Sequence, residues 1–236
     1  MMPTRQPNSL HISVEPPEKP PLTCELFRYA GNVRRMPERR KSATNPDLLA
    51  TALFDVAAES GLENASVREV AKRADVSIGA VQHHFSTKDE MLTFALRTLA
   101  DRILSRLTRP PAGTDPHVVL FQALSQLLPL DEQRTREAHV LAAFAIRAVT
   151  SESLADIRRT MLFTIRTGIC AVLIGIRLPE AETRAALLLA TVDGLALDAI
   201  GNPGMYPPHY LEYALESQIK LTLHDMEVHD ALGSVG

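Results

Sequence analysis

Residues 66–85 read S-V-R-E-V-A-K-R-A-D-V-S-I-G-A-V-Q-H-H-F and predict two short helices separated by a tight turn. Ser66 and Glu69 form an S-x-x-E capping box, so the first helix is expected over residues 66–73. Its apolar residues recur at positions i, i+3 and i+4, which gives the helix one apolar face. Ser77 is a fresh N-cap and predicts a second helix over residues 77–84. This spacing is typical of a helix-turn-helix.

The second helix of the pair is only two turns long and opens with small residues. Such a helix buries little, but it lets another molecule approach its backbone closely, and the major groove of DNA admits a helix of this width. A Gln side chain can bond an adenine edge, and an Ile side chain can meet a thymine methyl group. The candidates for base contact are Ser77, Ile78, Gly79, Gln82 and His83, and Ala80 is a further candidate for contact with DNA.

Phosphate contacts, which supply sequence-independent affinity, are expected from two further places. A basic arm precedes the first helix of the chain and comprises Arg39, Arg40 and Lys41. Ser66 and the backbone amide of Val67 lie at a helix N-terminus, which attracts anions. The alternatives are a merely solvated arm and a Ser66 that serves only as a cap.

Residues 50–92 resemble the DNA-binding domain of the TetR family of bacterial transcriptional regulators. The matching motifs are an amphipathic first helix ending at Gly61, the V-x-x-V-A segment, and then V-S-x-G-x-V-x-x-H-F-x-x-K. Asp75 stands where the family usually has Gly, and Asp enters the left-handed region more readily than most residues. Gln82 stands where the family usually has an aromatic residue that touches a phosphate. The resemblance also implies a phosphate contact from Lys88.

Composition and charge favour a helical protein with one basic end. Of the 236 residues, 45% are hydrophobic and 5% aromatic, and Trp is absent, which favours an all-α fold. Residues 34–109 carry thirteen Lys and Arg against ten Asp and Glu, whereas residues 110–236 carry nine against fifteen. This asymmetry suits a protein that turns its basic end toward DNA.

Several classes of protein are disfavoured. The sequence contains no Gly-rich phosphate loop, G-x-S-x-G or H-E-x-x-H, so we expect no enzyme and no cofactor. The pair His83-His84 with Asp89-Glu90 straddles a helix break, so no metal site is expected. Cys24 and Cys170 lie in different contexts and are expected to be reduced in a cytoplasm. No apolar run is long enough for a membrane span.

Four regions are expected along the chain. Residues 1–35 are rich in Pro and predict a disordered extension, and translation is suspected to begin at Met36. A helix-turn-helix domain is expected over 36–92, a ligand-binding and dimerisation domain over 93–228, and a disordered tail over 229–236. Further caps are expected at Asn45, Thr87 and Ser153. Together with Pro signals, the caps predict nine helices in all, over about 46–61, 66–73, 77–84, 87–109, 116–128, 131–149, 153–176, 180–200 and 208–227.

The C-terminal helices predict a dimer. Residues 184–200 are apolar over most of the helix circumference, and the segment V-D-G-L-A-L resembles the corresponding helix of choline-responsive members of the family. In that family the last two helices form a four-helix bundle between subunits. The expected interface comprises Ala185, Leu188, Leu189, Val192, Leu195, Ala196, Ala199, Tyr210 and Ala214. An ordinary buried core helix is the alternative.

The resemblance further implies a repressor that a small molecule releases from DNA. The candidate pocket residues are Phe121, His139, Phe144, Arg147, Met161 and Phe163, and each could equally be plain core or surface. The leading hypothesis is therefore a dimeric DNA-binding repressor with a small effector. An effector-independent regulator, and a helical adaptor or enzyme without DNA binding, are the alternatives.

Overall fold

The structure, a computed structural model, describes residues 45–107, 111 and 113–224. Most of these residues lie in helices. Over these residues there are nine α-helices and no strand, as predicted. They are α1 Pro46–Ser60, α2 Val67–Arg73, α3 Ile78–His84, α4 Lys88–Arg106, α5 Pro116–Leu124, α6 Glu132–Ala148, α7 Glu152–Gly175, α8 Ala181–Gly201 and α9 Pro208–Leu223. Short 3₁₀ turns follow at Leu62–Asn64 and Ser125–Leu127. None of the described helices could cross a bilayer.

Several predictions concern residues outside this part of the chain. The disordered extension, the start at Met36, the basic arm Arg39-Arg40-Lys41 and the tail after residue 228 all belong there. They stay predictions.

The helix starts follow local capping chemistry. The predicted caps of the first four helices are confirmed, because each side-chain oxygen accepts a hydrogen bond from a backbone amide of its own helix: Asn45, Ser66, Ser77 and Thr87. One predicted cap is wrong, since α7 begins at Glu152 after Ser151 and not at Ser153. The capping box at Ser66 is one-sided, because the Ser66 amide donates to the carbonyl of Asn64 at 2.8 Å.

Two hydrophobic clusters hold these helices together. The first joins α1, α2, α3 and α4, which include Leu53, Val81 and Leu96, but it also takes in Phe144 of α6 and Leu154 of α7. Phe144 is 0% exposed there. The second cluster lies among α5, α7, α8 and α9 and reaches α4 at Ala100. The first core therefore crosses the boundary expected at residue 92, because α6 and α7 pack on the helices before it. We call α1 to α3 the head.

Candidate nucleic-acid interface

The turn between α2 and α3 holds the two helices at a fixed angle. Asp75 has φ = 54°, in the left-handed region that the sequence predicted for it. The amide of Val76 donates to the carbonyl of Ala71 at 3.0 Å and closes the turn. Val70 of α2 and Val81 of α3 are both 0% exposed and anchor the two helices in the first core. The opposite side of α3 is thereby turned outward.

The outer face of α3 carries most of the predicted base contacts. Ser77, Ile78, Gly79, Gln82 and His83 are exposed, and Ile78 is an exposed large apolar side chain at 45%. Ala80 is half-buried, so it offers less surface than its neighbours. Ser77 Oγ accepts a bond from the amide of Ala80 at 3.1 Å, which leaves its hydroxyl hydrogen to donate elsewhere. Five of the six candidates therefore share one accessible face.

Gly79 occupies a position where the fold itself does not require glycine. A Cβ atom built there would meet only Ser77 Oγ, at an ordinary contact distance of 3.8 Å. Glycine inside a helix costs about 0.5–1 kcal/mol relative to alanine. The contacts within the chain therefore give no reason for a glycine at this position.

His83 and His84 differ in their surroundings. His83 is exposed, whereas His84 is half-buried with its ring 6.2 Å from that of Phe85. The Nε2 atom of His84 is buried and makes no hydrogen bond to the described residues. Among these residues no three His, Cys, Asp or Glu side chains gather as a metal site would require.

The start of α4 lies against the segment that precedes α2. Lys88 is half-buried, and its Nζ donates to the carbonyl of Glu63 at 2.9 Å. An ammonium group has three donors, so two stay available for a phosphate. Ser66 and Val67 are half-buried at the start of α2, where Ser66 Oγ accepts from the amide of Glu69 at 3.2 Å. Ser66 is therefore a structural cap whatever else it does.

Arg147 was predicted to line a ligand pocket, but it lies beside the head. Its guanidinium is 3.7 Å from the carboxylates of both Glu63 and Asp89. The sequence carries no signal for this arrangement, because the partners are separated from Arg147 by more than fifty residues and meet it only when α6 packs on α1.

The other predicted pocket residues are not brought together either. Phe144 belongs to the first core and Met161 to the second, and Phe121 packs on the second core from its edge. Phe163 is 42% exposed, with the guanidinium carbon of Arg166 at 6.0 Å from its ring. The predicted pocket is wrong as a set, because helical periodicity does not distinguish core from cavity lining.

His139 alone among the six lines an open groove of about 360 Å³. The groove lies between the start of α6 and the connection from α8 to α9, where Thr135 and Tyr206 also line it. His139 Nδ1 lies 2.9 Å from the carbonyl oxygen of Thr135, which can only accept, so the Nδ1–H group donates there.

The predicted dimer face on α8 is mostly the protomer's own core. Four of its residues have exposures between 0 and 6%, namely Ala185, Leu188, Leu189 and Val192. Three others on α8 and one on α9 are half-buried, namely Leu195, Ala196, Ala199 and Ala214, and only Tyr210 is exposed. For the buried four the prediction is wrong, because the wider apolar side of α8 packs on α6, α7 and α9.

A different side of α8 is apolar and exposed. Leu187 and Leu197 are 61% and 58% exposed, and Ala190 and Gly194 lie between them at helical spacing. A Cβ atom at Gly194 would meet nothing within 4 Å. On α9 the exposed apolar residues include Tyr210, Tyr213 and Leu221. We call these residues, Leu187, Ala190, Gly194 and Leu197 of α8 with Tyr210, Tyr213 and Leu221 of α9, the outer C-terminal face.

Two family models match the chain. Bacterial regulatory proteins, tetR family, matches residues 49–93, and BetI-type transcriptional repressor, C-terminal, matches residues 116–224. The chain is similar to the HTH-type transcriptional regulator PksA of Bacillus subtilis (strain 168), with 32% identity over 174 residues, 71% of this chain and 84% of that protein.

Solved structures of regulators share the fold. A transcriptional regulator from Rhodococcus sp. Rha1 is 74% identical with a TM-score of 0.75, over 77% of this chain and 97% of that one. A regulator from Saccharomonospora viridis in complex with choline is 18% identical with a TM-score of 0.67, over 74% and 95% of the two chains.

Proposed function

The chain belongs to the TetR family of bacterial regulatory proteins and is a DNA-binding transcriptional regulator, and we propose that it acts as a dimeric repressor released from a palindromic operator by a small molecule. The proposal of base contact rests on the outer face of α3. Five candidate residues are exposed on it, while Val81 and Phe85 on the opposite side are buried. A two-turn helix held in this way presents its first residues to a major groove.

Three kinds of side chain on this face suit three kinds of base contact. The Gln82 amide can donate to and accept from an adenine edge, the Ser77 hydroxyl can donate, and Ile78 can meet a thymine methyl group. Gly79 lets the sugar-phosphate backbone or a base edge approach the helix axis. Lys88 and the basic arm at residues 39–41 would add phosphate contacts, which position the helix without reading sequence.

Binding to DNA from upstream of the chain's own gene tests this proposal. We expect specific binding that weakens steeply between about 50 and 200 mM salt. Gln82→Ala should lower the preference for this duplex over an unrelated one by about 1–3 kcal/mol, because a bidentate base contact is lost. Gln122→Ala, which removes an exposed Gln on α5, is the matched control. Equal effects of both variants would contradict the assignment of Gln82.

The outer C-terminal face supports the proposal of a dimer. Exposed apolar residues that follow one side of a helix are expected to be covered by a partner. Glycine destabilises a helix relative to alanine, yet no contact inside the chain requires glycine at residue 194. Two small residues, Ala190 and Gly194, would let a partner helix approach closely. A twofold dimer would also set two copies of α3 about 34–36 Å apart, one turn of DNA.

A small effector is proposed for the C-terminal half, with the groove beside His139 as its place of entry. The choline complex of the Saccharomonospora regulator, which shares the fold, motivates this part of the proposal. The groove has an apolar side from Ala199 and Ile200 and an aromatic side from Tyr206. A ligand bound there would lie between α6 and the α8–α9 connection and could bias their relative positions.

Choline is the first probe for the effector. If the proposal holds for this ligand class, choline raises the unfolding midpoint, because it binds the folded chain. It also lowers DNA affinity, because it prefers the conformation that does not bind DNA. His139→Ala should reduce the two effects together. An effector-independent regulator would instead keep its DNA affinity in the presence of choline and of a panel of small organic molecules.

A further inference from the structure

Four charged residues meet where the C-terminal half of the chain touches the head. Arg147 lies in the last turn of α6, with Nη1 at 3.7 Å from Oε1 of Glu63 and Nη2 at 3.7 Å from Oδ1 of Asp89. Lys88 completes the group, since its Nζ donates to the carbonyl of Glu63 at 2.9 Å. We call Glu63, Lys88, Asp89 and Arg147 the Arg147 cluster.

The two carboxylates of this cluster stand beside the proposed phosphate anchors. Glu63 precedes Ser66 by three residues, and Asp89 directly follows Lys88. Their side chains are 81% and 73% exposed, so solvent and DNA can both reach them. A phosphate within about 10 Å, the Debye length at 0.1 M salt, would be repelled by each carboxylate.

Arg147 supplies the compensating charge from outside the head. Its side chain is 38% exposed and lies within 3.7 Å of both carboxylates. Exposed ion pairs contribute little to the free energy of unfolding, so the cluster adds little to the stability of the fold. Its consequence is electrostatic: the four side chains of the cluster sum to zero charge with Arg147 present and to −1 without it.

We propose that Arg147 is a positioning residue for DNA binding, which offsets part of the negative charge of Glu63 and Asp89 and so lets phosphates approach Lys88 without itself contacting DNA. This inference rests on the proposed function. By this inference, a charge on α6, a helix of the C-terminal half, raises the affinity of the head for DNA. A shift of α6 away from the head would then weaken DNA binding through charge alone.

The test uses the full chain and a fluorescent duplex from upstream of its own gene, titrated at several salt concentrations. Arg147→Gln should weaken binding about three- to fivefold at about 50 mM salt, and the loss should shrink as salt rises. The unfolding midpoint should not move. Arg136→Gln removes the same charge from the same helix, three turns away, where Arg136 pairs with Glu132 at 2.6 Å, and it should leave affinity unchanged.

The decisive variant combines Arg147→Gln with Asp89→Asn. Neutralisation requires that this double variant regains wild-type affinity, because the charge removed at residue 147 is matched by one removed at residue 89. A double variant as weak as Arg147→Gln would mean that Arg147 meets a phosphate itself or holds the head in place, and would overturn the inference. An Arg147→Gln protein that binds like wild type would overturn it too, as would an equal loss in Arg136→Gln.

The wild-type titration separates this inference from the proposed function. If the wild-type chain binds neither this duplex nor an unrelated one in a salt-sensitive manner, the proposed function fails and the inference fails with it. If the wild type binds and only the variants behave otherwise than expected, the inference alone is overturned.

Discussion

Arg106 of α4 and Glu137 of α6 form a two-bond ion pair, with Nη1–Oε1 at 2.9 Å and Nη2–Oε2 at 2.5 Å. Their side chains are 26% and 13% exposed, and the hydrogen bonds to Glu137 raise the pKa of Arg106 above its usual value. The pair joins the end of α4, which begins at the head, to the middle of α6. These two helices are therefore tied at a point far from the Arg147 cluster.

Loss of this pair should destabilise the fold. Arg106→Gln would leave the Glu137 carboxylate mostly buried with only Gln133 to bond it, at 3.1 Å. We expect the free energy of unfolding to fall by about 1–3 kcal/mol, the usual cost of an unsatisfied buried polar group. Urea unfolding measures the change. Arg136→Gln breaks an exposed pair and should cost less than about 1 kcal/mol, so equal losses in the two variants would contradict the role of burial.

Gly79→Ala should separate stability from DNA binding. The new methyl group has room in the free protein, and alanine favours the helix, so the free energy of unfolding should rise by up to about 1 kcal/mol. Affinity for DNA should fall, since the methyl group lies on the face proposed to enter the groove. Thermal unfolding and DNA titration measure the two effects.

The control for that variant is Gly168→Ala on α7, where a Cβ atom would also meet nothing within 4 Å. It should stabilise the helix to a similar extent and leave DNA affinity unchanged. A Gly79→Ala protein that binds DNA as tightly as wild type would argue against a close approach at this residue.

Gly194→Arg should break the proposed dimer without unfolding the protomer. A long charged side chain has open space around residue 194 within one chain, but it would occupy the strip on which a partner helix is proposed to pack. Analytical ultracentrifugation should give a monomer for this variant and a dimer for the wild type. Gln122→Arg on α5 adds the same charge away from the outer C-terminal face and should stay dimeric. A dimeric Gly194→Arg protein would place the interface elsewhere.

Asp131 predicts a dependence of stability on pH at the start of α6. The backbone amide of Arg134, which donates to Oδ1 at 2.8 Å, holds the pKa of Asp131 below its usual value, and the Arg134 guanidinium acts in the same direction. A carboxyl with a lower pKa in the folded chain stabilises it above the unfolded pKa and loses this contribution as the pH falls through the folded pKa.

Asp131→Asn tests this dependence, because it keeps an acceptor oxygen at the cap but removes the charge. The wild type should lose stability relative to the variant between about pH 5 and pH 3, by less than about 1 kcal/mol because the carboxylate is 53% exposed. Chemical unfolding at several pH values measures the difference. A difference between the two proteins that stays constant with pH would show that the charge at residue 131 is unimportant.

The head and the start of α4 could be predicted closely because their determinants are local. Ser66, Ser77 and Thr87 each cap a helix through an amide three residues further along the chain. Asp75 adopts the left-handed conformation that the tight turn needs. Once Val81 is assigned to the core, the residues on the opposite side of α3 can be predicted to be exposed. Each of these relationships spans fewer than ten residues, so the sequence displays it directly.

The C-terminal half was harder to predict because α8 is apolar on more than one side. Its sequence offers both the strip with Leu188 and Val192 and the strip with Leu187 and Leu197, and periodicity does not say which one faces inward. The choice depends on where α6, α7 and α9 pack. The same is true of Phe144, which looked like a pocket residue but fills the first core, and of Arg147, which meets partners distant in sequence.

Capping and 3.6-residue periodicity act between residues a few positions apart, so the sequence alone predicted the nine helices of the described residues, the caps of the first four and the exposed face of α3. Only the tertiary structure decided which side of α8 is core, that α6 contributes Phe144 to the core of the head, and that Arg147 lies between Glu63 and Asp89. These features arise from packing between distant helices, where many apolar faces are compatible with one pattern and close packing selects a single arrangement.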